Sequence, residues 1–113
     1  MLKKCFRLRK NRDFKAVYEE KRSVAAGVVV LYVKEGRAGT LPRIGFSVSK
    51  KLGGAVIRNR CRRMLREAVR LHINEIRPEM DYAFIGRHSL VHADFLTVEK
   101  DVLYALKRSH CIY

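Results

Sequence analysis

Apolar residues recur along this chain with two periods, and each change of period marks an element. Near the N-terminus Phe14, Val17 and Tyr18 share one side of a helix over about residues 12–21, with Asn11 placed to cap it. A β pattern follows. Residues 23–26 read as a short edge strand, and residues 27–34 as a longer one. There Val29, Leu31 and Val33 face one way, and Val28, Val30 and Tyr32 the other, so both faces call for cover. Residues 35–42 hold two glycines and a proline and read as a hairpin loop. Over residues 43–49 Ile44, Phe46 and Val48 alternate with Arg43, Gly45, Ser47 and Ser49. The second set is small and polar, and suits a groove floor that a backbone or base can approach closely.

After Gly53 and Gly54 the period lengthens again. Ile57, Cys61, Met64, Leu65 and Ala68 fall on one helical stripe, and the helix is expected to reach Glu75 or Ile76, before Pro78. Residues 81–87 read as a strand. A helix separates it from the preceding strand, which predicts a β-α-β crossover with parallel pairing. Residues 88–93 read as a loop. Asp94 can cap a last helix to about Arg108, with Phe95, Val98, Val102 and Leu106 on its apolar stripe and Leu103 beside them. The tail from Ser109 carries little pattern. The order predicts one α+β domain, a four-stranded sheet with helices packed on it.

Charge changes the picture. The 113 residues carry a formal net charge of +14, and no apolar run approaches the ~20 residues that span a bilayer. From Lys50 to Arg70 there are eight Lys or Arg and one acid, Glu67. On the helix that follows Gly54, Asn59, Arg62, Arg63, Arg66 and Arg70 lie opposite the apolar stripe, with Arg58 and Arg60 at its borders and no acid expected among them. Like charges at i and i+4 cost a few tenths of a kcal/mol per pair in an isolated helix. A face that keeps them predicts a polyanionic partner, and nucleic acid fits best. Lys50, Lys51, Gly53 and Gly54 form the approach, where free N–H groups and a helix dipole suggest a phosphate seat. Lys3, Lys4, Arg7, Arg9, Lys10 and Arg12 form a basic, partly extended arm. Phe14 and Tyr18 serve either as core or as a shelf for bases, a stacking contact worth about 1–3 kcal/mol per base.

Catalytic signals are absent. Cys5, Cys61 and Cys111 form no C-x-x-C pair, which argues against a disulfide framework or a zinc site. Cys61 sits on the apolar stripe as a small core residue. His88 and His92 have i, i+4 spacing, but no completing ligand pattern, and read as surface histidines. No nucleophile elbow or paired-carboxylate motif stands out, so no catalytic residue is expected and no metal-ligating residue is assigned. The basic N-terminus lacks a following apolar segment, so a cytoplasmic location is expected.

The block Ser47-Val48-Ser49-Lys50-Lys51, Gly53, Ala55-Val56, Arg58-Asn59-Arg60 and Arg62-Arg63-Met64-Leu65-Arg66-Glu67 resembles the signature of the bacterial ribonuclease P protein component. Arg7-Leu8, Asp13-Phe14, Val17-Tyr18, Leu31-Tyr32, Arg43-Ile44-Gly45-Phe46, Asp81-Tyr82 and Arg87 extend the likeness over essentially the whole chain. The resemblance implies an α-β-β-β-α-β-α fold with a left-handed β-α-β crossover, a hand that general rules disfavour. It implies the small subunit of a ribonucleoprotein that removes the 5′ leader of precursor tRNA, with Mg2+ held mainly by the catalytic RNA. Its partners would be that RNA and precursor tRNA, with no membrane and no obligate protein partner. Contacts to the catalytic RNA would fall on Lys51, Arg58, Asn59, Arg60, Arg62, Arg63 and Arg70. The leader would lie in a cleft of Phe14, Tyr18, Val30, Tyr32, Ser47, Ser49, Lys50 and Arg66. Cys61, Arg62 and Tyr18 depart from commoner family residues while keeping size class or charge. A general RNA-binding protein shares the charge but gives no reason for the full block. A self-sufficient nuclease would need a catalytic constellation that the sequence lacks.

Overall fold

The computed structural model describes residues 2–112. Helix α1 (Asn11–Glu19) precedes strands β1 (Ser23–Ala26), β2 (Val29–Glu35) and β3 (Arg43–Ser47). Helix α2 (Ala55–Leu71), strand β4 (Met80–Gly86) and helix α3 (Phe95–Arg108) complete the α+β domain. The sheet order is β1-β2-β4-β3, with β3 and β4 parallel and the other neighbours antiparallel. The expected crossover is thus β3-α2-β4.

Residues 35–42 are not a hairpin loop, because β4 lies between the strands they join. The segment instead arches past the start of β4 and is pinned to it. Gly36 N–H donates to Glu79 O at 2.8 Å, and Glu79 N–H donates to Thr40 O at 3.1 Å. The true hairpin is β1–β2, with Gly27 and Val28 as its two-residue turn. Gly27 takes a φ of +54°, and an added Cβ would strike the Asp101 carboxylate, which accepts the Val28 N–H at 3.0 Å. That bond ties the turn to α3.

The β alternation divides two layers. Val29, Leu31, Val33, Ile44, Tyr82 and Phe84 are buried in the main core with Cys61, Leu65, Ala68 and Val69 of α2 and Val98, Val102 and Leu106 of α3. On the other face α1 lays Val17 on Ala83, with Leu8 of the N-terminal arm beside them. The arm runs along β3, where Leu8 N–H donates to Ile44 O at 2.9 Å.

Several helix limits differ from expectation. Asn11 is the first residue of α1 rather than its cap, and Lys10 in the cap position makes no side-chain bond. α2 stops at Leu71 because His72 leaves helical geometry. A 3-10 turn (Ile73–Glu75) and an Ile76–Ile112 bridge follow, so the C-terminal tail docks on this segment. Ile57 is 39% exposed, so the first turn of α2 stays outside the core, and Val69 adds burial further along. Residues 88–92 form a 3-10 turn within the expected loop, with His88 and His92 exposed. Asp94 does cap α3, accepting the Thr97 N–H at 2.9 Å. Cys61 and Cys111 are buried and Cys5 is exposed, all as free thiols. No described helix is long and apolar enough to cross a membrane.

Candidate nucleic-acid interface

Strand register builds the groove floor. Val30, Ile85 and Ser47 stand in one cross-strand row, and Tyr32, Ala83 and Gly45 in the next. α1 lies over the second row. Tyr18 meets Tyr32 edge-on with ring centroids 5.1 Å apart, and Phe14 lies 6.2 Å from Tyr18. The aromatic side chains are half-buried, packed against the cluster that holds Ala83. Burial pushes the Tyr18 phenol above its usual range, against a hydrogen bond with Ser47 that lowers it.

Gly45 explains how Phe14 fits. A Cβ at this position would lie 2.2 Å from Phe14 Cζ and 3.0 Å from Leu8 O. The bare strand backbone lets the ring lie against the sheet. Beside it opens a groove of about 430 Å3, lined by Asn11, Phe14, Lys15, Tyr18, Phe46, Ser47, Val48 and Arg62. Arg62 thus borders the groove as well as a second depression, which it shares with Asn59, Arg63, Arg66 and Glu67.

The basic face of α2 is not free of acid. Glu67 lies in that depression and takes Arg70 in a paired contact, with Arg70 Nε donating at 2.9 Å. The carboxylate holds the Arg70 pKa above its usual value, and Arg70 holds that of Glu67 below the carboxylate range. Of the Arg-Asn-Arg motif, Asn59 and Arg60 are exposed, but the arginines have internal work. Arg58 Nε donates to Gly53 O at 3.1 Å. Arg60 donates to Val91 O at 3.0 Å and Ala93 O at 3.3 Å, tying α2 to the turn before α3. Asn59 accepts from Arg62 at 3.0 Å. Arg63 is exposed and makes no internal pair among the described residues.

The approach to α2 differs from the expected open seat. β3 ends at Ser47. Ser49 caps a 3-10 turn (Lys50–Leu52) by accepting the Lys51 N–H at 3.2 Å. The N–H groups of Leu52 and Gly53 are also spent within the turn. The free donors lie instead in the first turn of α2, where Gly54 offers no side-chain cap. Lys50, Lys51 and Ser49 are exposed there and do not line the groove, and Val30 and Tyr32, half-buried in the sheet, are not among its lining residues either.

A ribonuclease P family model matches residues 2–110. The chain belongs to the ribonuclease P protein family. The ribonuclease P protein component of Alkaliphilus oremlandii is 37% identical over 98% of this chain and 96% of its own length. The solved RNase P protein of Staphylococcus aureus superposes with a TM-score of 0.85 at 32% identity, covering 97% of this chain and 100% of that one. The RNase P protein of Thermotoga maritima gives a TM-score of 0.80 at 33% identity, with 90% and 96% covered. Membership makes this chain a protein component of an endoribonuclease holoenzyme of bacterial tRNA processing, with an RNA partner. The mixed four-stranded sheet with three helices is the ribonuclease P protein fold.

Among the described residues no group of three or more His, Cys, Asp or Glu could hold a metal ion. The acids near the groove are already engaged. Asp81 accepts two bonds from Arg43, Asp13 lies 3.7 Å from the same guanidinium, and Glu67 holds Arg70. These residues do not fit a Mg2+ centre belonging to the chain.

Proposed function

We propose that this chain binds the catalytic RNA of ribonuclease P along α2 and holds the 5′ leader of precursor tRNA in the groove beside α1. In this reading it promotes Mg2+-dependent endonucleolytic removal of the leader, in the cytoplasm and without a membrane or an obligate protein partner. The observation that carries the reading is the continuity of two surfaces. Arg62 borders both the aromatic groove and the arginine-lined depression of α2. A single strand in the groove therefore meets the same helix that an RNA subunit would grip.

Each residue has a role in this proposal. Phe14, Tyr18 and Tyr32 offer ring surface to unstacked bases, a sequence-tolerant contact. Ser47 leaves the floor low, Val30 lies in the same cross-strand row, and Ser49 and Lys50 follow in the chain beyond the groove. Arg62 neutralises phosphate on the groove's α2 side, and Arg66 does so in the neighbouring depressions. Asn59, Arg63 and Lys51 face outward for the catalytic RNA. Arg58 and Arg60 shape the start of α2 and the turn beside it, and Arg70 is available only in competition with Glu67. Mg2+ bound by the RNA would activate the attacking water and stabilise the leaving oxygen. This chain's residues reduce repulsion between the two RNAs and fix the leader in register.

The test is precursor processing with catalytic RNA alone, protein alone and both together, at low Mg2+. Cleavage should need the RNA and be strongly stimulated by the protein, and precursor tRNA should bind the holoenzyme more tightly than mature tRNA. Cleavage by the protein alone would overturn the division of labour. Equal affinity for the two tRNAs would overturn the leader groove.

A further inference from the structure

The groove ends at a ridge made by Phe14 and Phe46. The same two rings line another depression beyond it, of about 320 Å3, whose other walls include Arg7, Arg9, Arg66 and Gly45. The sequence explains how the arginines meet. Arg7-Leu8-Arg9 runs extended along β3, where Arg7 bridges Ile44. In an extended chain successive side chains point to opposite sides. Leu8 is buried in the α1 layer, Arg7 and Arg9 alternate with it, and all three residues line the depression. Arg7 is fixed further by donating Nε and Nη2 to Leu2 O, at 3.0 and 2.8 Å. Arg66 reaches the same space from α2.

No carboxylate lines this depression, and none of the three arginines is ion-paired among the described residues. Burial, followed by the charges of Arg7 and Arg62, presses the Arg66 pKa below its usual value. The fold balances Arg43 with Asp81 and Arg70 with Glu67. Here it gathers three and leaves the charge unmet around a cavity large enough for an anion.

We propose that this depression seats one phosphate group of an RNA strand, with Arg7, Arg9 and Arg66 as its ligands. The proposal rests on the RNA-binding reading above and adds a subsite on the far side of the Phe14 ridge. The phosphate comes either from the catalytic RNA or from the leader.

Arg9→Ala is the clean perturbation, because Arg9 is exposed and makes no internal hydrogen bond or ion pair among the described residues. Affinity is measured against KCl in two arms, protein with catalytic RNA and holoenzyme with precursor tRNA. In the arm that supplies the phosphate, the slope of log K against log[KCl] becomes shallower by about 0.7–0.9 for the lost contact. Over a fourfold rise in salt that is about threefold less loss of affinity. Arg9→Lys keeps the charge and the slope. Unchanged slopes in both arms overturn the seat, as does a lysine variant that falls as far as the alanine one. Arg63→Ala, run alongside, separates the failures. If it shifts a slope and Arg9→Ala does not, only the seat falls. If neither shifts, the reading of α2 falls as well.

Discussion

Replacing Gly45 with alanine tests how the groove is shaped. The new Cβ would sit 2.2 Å from Phe14 Cζ and 2.6 Å from Cε1, against a normal carbon contact of about 3.5–4.0 Å. The ring must therefore retreat by more than about 1 Å. Leu8 O, at 3.0 Å, is backbone and gives less easily. Overpacking of this kind costs about 1–3 kcal/mol. The retreat also moves Phe14 out of line with Tyr18 and Tyr32, so leader discrimination should fall with stability. Urea denaturation reads the first effect, and the ratio of precursor to mature tRNA affinity reads the second. A double-mutant cycle isolates the cause. With Phe14→Ala already present, Gly45→Ala should cost under half as much, because only the Leu8 contact is left. If the glycine substitution costs the same in both backgrounds, Gly45 does not act by seating the ring.

Arg60→Ala removes both guanidinium bonds to the Val91 and Ala93 carbonyls, so stability should fall by about 1–3 kcal/mol. Its salt slope for RNA binding should stay unchanged, and a slope shallower by about one contact would show that Arg60 grips phosphate instead. His72 gives a pH dependence. Glu99 and then Glu75 raise its pKa, through ring contacts of 2.9 and 2.7 Å. The imidazolium gains these partners only on folding. Its stabilisation is complete below about pH 6.5 and is lost as pH rises through the higher folded value. The thermal midpoint should therefore drop across that window in the native chain and not in His72→Gln, and parallel curves for the two would refute the stabilising role of these contacts.

Much of this fold is legible because alternation is a local signal. The faces of residues 29–34 and 43–48 follow from side-chain period alone, as does the buried Cys61-Leu65-Ala68 stripe. Strand order is not local. The segment after β2 reads as a hairpin loop because nothing within it shows that β4 enters between its ends. The signal lies in β4 itself, where the run Met80–Gly86 is buried on both faces, as a central strand requires. The end of α2 depends on His72, whose two carboxylate partners stand at Glu75 and, across the fold, Glu99. Ile57 shows the same limit, since helical phase gives its direction and not whether the core reaches it. At the interface, residue types and faces are readable, whereas the internal bonds of Arg58 and Arg60 depend on carbonyls that only the fold brings near.

Glu67 shows how charge is apportioned along α2. It stands three residues before Arg70, a spacing that favours pairing. Its effect is to quench the C-terminal end of the basic face and leave the N-terminal part, with Arg62, Arg63 and Arg66, uncompensated. That part borders the groove and the depression beyond the Phe14 ridge. Uncompensated charge there costs the isolated chain stability through repulsion, and the buried stripe of Cys61, Leu65, Ala68 and Val69 must hold the helix down against it. Acids at positions 62, 63 or 66 would relieve the repulsion and would remove what a polyanion recognises. The distribution is thus better explained by a partner that supplies the missing negative charge than by the needs of the fold alone.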